Sequence, residues 1–223
     1  MIELCSLDVC GNGDKVLREL QSKILNEFPD GLIGVEMGVC YGGGIEALGK
    51  LWQGRGKVYG YDTFEGMPKA EAGYGSREAN NLDAFYAQYG MEKLSYDYIR
   101  GELDEQGLDN VNLVKGLINQ NSFNDLSEIH YCLIGLGYLR ATEIGYMAIK
   151  DKIVPGGYLV IGGVCGRWPL ASLVPWYQAV KNDPMWKVEY EGFKDMIAIL
   201  KRVSPVEDEP VKKKKQRGFN PLT

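Results

Sequence analysis

Apolar residues recur at helical spacing through "DKVLRELQSKILNEF" (14–28), with Asp14 near the start. The pattern then changes. "GLIGVEMG" (31–38) is a short unbroken apolar run that ends in an acid and a glycine, as expected of a parallel strand buried on both faces. "GGGIEALGKLW" (42–52) returns to helical spacing, and "KVYGYD" (57–62) predicts a second strand ending in an acid. Three further strands are predicted at 110–116, 129–135 and 156–162. Helical stretches separate them, at 79–107 with a break near Gly90 and at 138–152, where Pro155-Gly156-Gly157 is expected to stop the helix. "WKVEYEGFKDMIAILKRV" predicts two strands around Glu191-Gly192, a hairpin.

Strands alternating with helices predict an α/β fold: a doubly wound, mostly parallel sheet with helices on both faces and a C-terminal antiparallel hairpin. There is no internal repeat. Residues 1–203 read as a single domain, and 204–223 as a basic, disordered tail. The segment 63–90 is longer than a βα connection needs, and is read as a lid.

Charge and cysteine content narrow the setting. The chain of 223 residues carries a net charge of −5, but its first 200 residues alone carry −9, because "KKKKQR" (212–217) is concentrated in the tail. An acidic body argues against a nucleic-acid partner. No apolar run approaches a membrane span, and "MIELCSLDVCGNGDK" lacks the features of a signal peptide. Five scattered cysteines without zinc spacing are expected to be reduced thiols in a cytoplasmic protein. The single histidine, His130, stands at the start of the fourth strand, so it is placed at the end of the sheet away from a ligand.

The chemistry-bearing signal lies where the first strand ends, in "VEMGVCYGGG". Gly38 lets a ligand approach the backbone, and Gly42 and Gly43 open a helix whose first amides favour an anionic group. The spacing E-x-G-x-x-x-G-G differs from the dinucleotide pattern G-x-G-x-x-G. Asp62, at the end of the second strand, is placed to accept from ribose hydroxyls. Together with the terminal hairpin, these features point to S-adenosylmethionine as cofactor. A glycine-rich structural turn with a surface acid is the plain alternative.

"VEMGVCYGGGIEALGKL", "VYGYDTFEGMP", "NVNLVKG" and "IVPGGYLVI" resemble the macrocin O-methyltransferase (TylF-type) family of class I methyltransferases, over about residues 30–182. The resemblance implies methyl transfer from S-adenosylmethionine to hydroxyls of sugars and other natural-product scaffolds, often with magnesium. It places Glu36, Gly38 and Gly42 at the methionine end of the cofactor, Asp62 at the ribose, and Gly116 and Leu117 beside the adenine. Thr63 and Phe64 shape the same pocket; Tyr41 in the glycine loop and Gly135 after the fourth strand complete the set. Relatives of this fold often form dimers, which makes a homodimer an expectation.

The chain departs from that family at two strand ends. Where the family has I-D-x-D-L-Y-x-S-T, this chain has Ile134-Gly135-Leu136-Gly137-Tyr138-Leu139-Arg140-Ala141-Thr142; where it has D-D-Y, this chain has Gly162-Gly163-Val164. Magnesium needs hard oxygen ligands, and glycine side chains supply none. No catalytic metal and no aspartate base are therefore expected on these strands. Restored aspartates at 135, 162 and 163 are expected to create magnesium affinity. Metal-free methylation of a small, intrinsically nucleophilic acceptor is the leading reading, and a cofactor-binding protein without turnover is its rival. Tyr138, Arg140, Arg167 and Trp168 are the candidate acceptor-binding residues; no catalytic residue is assigned.

Overall fold

The computed structural model describes residues 13–66, 90–165, 171–192 and 196–204. Arg167, Trp168, the tail beyond 204 and most of the expected lid lie outside them. In chain order the elements are α1 (Gly13–Glu27), β1 (Leu32–Met37), α2 (Gly43–Trp52), β2 (Gly56–Asp62), α3 (Tyr96–Glu105), β3 (Val111–Lys115) and β4 (Ile129–Ile134). Then follow α4 (Leu139–Ile149), β5 (Ile153–Gly162), α5 (Leu173–Lys181), β6 (Trp186–Glu191) and β7 (Ile197–Arg202).

The seven strands form one sheet in the order β3-β2-β1-β4-β5-β7-β6. β1 to β5 are parallel; β7 runs antiparallel between β5 and β6. Both faces are covered, which explains the unbroken apolar runs. α1, α2 and α3 supply Leu17, Ile24, Ile45, Trp52, Ile99 and Leu103 to one core, and α4 and α5 supply Tyr146, Ile149, Leu173 and Tyr177 to the other. No described helix is long and apolar enough to cross a membrane.

Two features differ from the expectation. β5 begins at Ile153, ahead of Pro155, and α4 ends at Ile149 with a short 3₁₀ turn over Lys150–Lys152. The register against β4 jumps from Ile129↔Ile153 to Tyr131↔Tyr158. Pro155-Gly156-Gly157 therefore bulges out of the ladder, because proline brings no amide to it and Gly156 turns at φ 85°. The second feature is α5, which no stretch of helical spacing had marked.

From β1 the chain winds out to β2 and β3, then returns to place β4 on the other side of β1. This reversal opens a crevice at the carboxyl ends of β1 and β4, where open α/β sheets bind ligands.

Candidate functional site

The crevice floor is backbone tied to backbone. The amide of Gly38 donates to Tyr61 O, that of Gly116 to Asp62 O, and that of Gly135 to Met37 O, at 2.8–2.9 Å. These bonds extend the ladder one residue past the strand ends and bring together the loops that the sequence marked. Gly38 sits at φ 91°, and a Cβ on it would fall 2.7 Å from Gly135 O, so only glycine fits. Gly42, at φ 84°, caps α2 without a side chain, which leaves the first-turn amides with no side-chain acceptor.

Asp62 ends β2 and is held from two sides. The amide of Cys40 donates to Oδ2 and that of Phe64 to Oδ1, both at 3.0 Å, and the Thr63 hydroxyl reaches Oδ1 at 3.3 Å. Cys40 and Phe64 adopt φ 52° and 56°, a left-handed conformation that costs about 1–3 kcal/mol at a residue with a side chain. Two strained turns thus aim their amides at one carboxylate. A carboxylate has about four acceptor sites, so Asp62 keeps capacity for ligand hydroxyls. The single Thr63 hydroxyl proton goes to the nearer acceptor, Gly66 O at 2.7 Å, closing the turn. The Phe64 ring is buried edge-on against Tyr96, 5.4 Å between centroids.

Glu36 is 3% exposed on β1, and burial, with the Asp62 carboxylate second, pushes its pKa up to about 8. Its carboxyl lies against the first turn of α2: a Cβ on Gly44 would fall 2.7 Å from Oε1 and 3.0 Å from Oε2. Gly44 and Cys40 are the site residues that sequence reasoning missed. Gly44 was visible as the third glycine of Gly42-Gly43-Gly44; Cys40 acts through its amide and gave no side-chain signal.

On the rim, Tyr41 is buried, whereas Leu117 is 67% exposed beyond Gly116, an apolar surface at the end of β3. Gly135 is exposed at the end of β4. Tyr138 is buried at the cap of α4, and Arg140, two residues on, is exposed. His130 lies at the other end of β4, as expected. Its Nδ1 accepts from the Ile33 amide at 3.2 Å, its ring meets Phe28 edge-on, and burial lowers its pKa. The Cys165 thiol donates to Ile197 O at 3.0 Å, which ties it to the hairpin.

The glycines on the β4 and β5 side are of two kinds. A Cβ at Gly135 would meet nothing nearer than Met37 O at 3.5 Å, and one at Gly162 nothing nearer than Ile134 O at 3.7 Å. Both positions accept a side chain. Gly137 and Gly163 sit at φ 73°, where aspartate is strained. Among the described residues no group of three His, Cys, Asp or Glu side chains is placed to hold a metal ion.

Fold and crevice together define the class I methyltransferase architecture, a Rossmann-like sheet with an antiparallel C-terminal hairpin. The O-methyltransferase NovP superposes with a TM-score of 0.62 at 16% identity, covering 85% of this chain and 80% of NovP. An rRNA methylase from Streptococcus thermophilus superposes with a TM-score of 0.55 at 15% identity (84% of this chain, 96% of the other). A putative methyltransferase from Streptococcus mutans, solved in complex with SAH, gives 0.53 at 16% identity (83% and 97%). No protein-family model matches the sequence, and neither does any curated protein.

Proposed function

We propose that this chain is an S-adenosylmethionine-dependent methyltransferase of a small molecule, working without a divalent metal. The observation that carries the reading is Asp62, fixed by the amides of Cys40 and Phe64 at the strand reversal. The residues present fit the cofactor at each of its ends. The uncapped first turn of α2 suits its carboxylate, buried Glu36 its ammonium, Asp62 its ribose hydroxyls, and exposed Leu117 its adenine face. When bound, S-adenosylmethionine supplies an electrophilic methyl group on a sulfonium sulfur.

What the chain adds is binding and orientation, worth roughly 7–11 kcal/mol of a barrier. A positioned base contributes about 10²–10⁴-fold more, and the ends of β4 and β5 carry glycine where such a carboxylate would stand. Without a base at these strand ends, an acceptor that brings its own lone pair near neutral pH, an amine, carboxylate or thiol, is favoured over a sugar hydroxyl. Arg140, exposed at the start of α4, suits an anionic acceptor. The fold leaves this choice open, since the proteins it resembles include both an O-methyltransferase and an rRNA methylase.

The same glycines favour a second reading, a protein that binds the cofactor without turnover. Conversion of S-adenosylmethionine to S-adenosylhomocysteine across a panel of amines, acids and thiols, with EDTA present, separates the two. Turnover that survives EDTA supports metal-free transfer. Turnover that requires magnesium overturns metal independence. Cofactor binding without turnover on any acceptor favours the second reading.

A further inference from the structure

Resting on the cofactor reading above, we propose that Glu36 carries a proton in the cofactor-free protein and releases it when the cofactor's ammonium group arrives, so that cofactor capture expels one proton. Glu36 is 3% exposed, and its carboxyl is confined between β1 and the first turn of α2. Among the described residues no hydrogen bond or cation reaches that carboxyl.

The elements around it offer no compensating charge. β2 brings the Asp62 carboxylate, of like sign. α2 brings Gly44, while its one nearby acid, Glu46, is held by Lys50 at 2.6 Å. β4 places Leu133 opposite in the register. At the end of β3, Lys115 is bound to Glu65 at 2.8 Å. A carboxyl on a side chain only 3% exposed, with no cation beside it and a second carboxylate near, keeps its proton. A protonated acid is a poor partner for an ammonium. The pair becomes favourable once the Glu36 O–H bond gives its proton to buffer and keeps the electron pair as carboxylate charge. The ammonium retains its three protons, and one proton leaves per cofactor bound.

The test is calorimetric titration of the whole chain with S-adenosylhomocysteine, which keeps the ammonium but lacks the sulfonium, in two pH 7 buffers of different ionisation enthalpy. The expected release is about 0.9 proton per ligand, the protonated fraction of a group with a pKa of about 8. Affinity should rise roughly tenfold from pH 6 to 7 and level off above about 8. In Glu36→Gln, release should fall to near zero and affinity should become flat with pH. Infrared difference spectra of the unaltered protein give an independent readout, the loss of a protonated-carboxyl band on binding. Binding with no proton release, or release that persists in Glu36→Gln, overturns the proposal while leaving the cofactor reading intact. Absence of binding from pH 6 to 9 removes the cofactor reading and the proposal together.

Discussion

Glycine does opposite jobs on the two sides of the crevice. On the β1–β2 side it is obligatory: Gly38 has no room for a Cβ, and Gly44 leaves space for the Glu36 carboxyl. On the β4–β5 side, Gly135 and Gly162 stand at ordinary φ with a Cβ's worth of space in front of them. The fold requires glycine at Gly38 and merely permits it at Gly135 and Gly162. At Gly135 and Gly162 the backbone therefore does not demand glycine, whereas Gly137 and Gly163, at φ 73°, do favour it.

Paired substitutions break this comparison most sharply at its steric end. Gly38→Ala drives a methyl toward Gly135 O at φ 91° and should cost about 3 kcal/mol of folding stability, whereas Gly135→Ala should stay within about 0.5 kcal/mol, both read by denaturant melts. Next is the polar anchor. Asp62→Ala strands the amides of Cys40 and Phe64, at about 1–3 kcal/mol each, and should weaken cofactor binding about a hundredfold. Gly162→Ala should leave that affinity within about twofold, measured by the same titration.

The pH profile of the cofactor-free protein sharpens the contrast at a smaller scale. Below about 4.5 Glu36 is protonated whether folded or unfolded. As pH climbs toward about 8 only the unfolded chain ionises, so this group erodes stability. Glu36→Gln removes that slope and should be more stable than the unaltered chain by about 1–3 kcal/mol at pH 8, by urea melts. His130 acts with the opposite sign: its lowered pKa stabilises the fold above 6.5 and that contribution is lost as pH falls. His130→Asn should flatten this acid limb. The smallest effect on folding, under about 1 kcal/mol, is expected for Gly135→Asp with Gly162→Asp. That pair should still bind magnesium at a roughly millimolar Kd, detectable by calorimetry. Gly163, at φ 73° where aspartate would be strained, is best left unchanged.

Much of this was legible in the sequence because the sheet is buried on both faces, so strands announce themselves as apolar runs closed by Glu36, Asp62 or a glycine. α5 was not legible. Pro175 interrupts "LVPWYQAVK", yet it occupies the first turn, where a missing amide costs nothing. The start of β5 was hidden by Pro155, whose disruption the fold absorbs as a bulge. At the site, Glu36, Gly38 and Asp62 were readable from residue type and spacing. The roles of Cys40 and Phe64 as amide donors were not, since a left-handed turn at a residue with a side chain leaves no mark on composition.

The insertion of β7 between β5 and β6 also constrains how the chain reaches this structure. "YLVI" of β5 is completely buried, and its outer edge is paired only by Ile197–Lys201, near the end of the described chain. Until that last strand docks, an apolar edge stays open to pairing with other chains. The hairpin thus acts as the closing clasp of the sheet, and shortening the chain ahead of residue 197 should yield aggregates in place of a smaller folded protein.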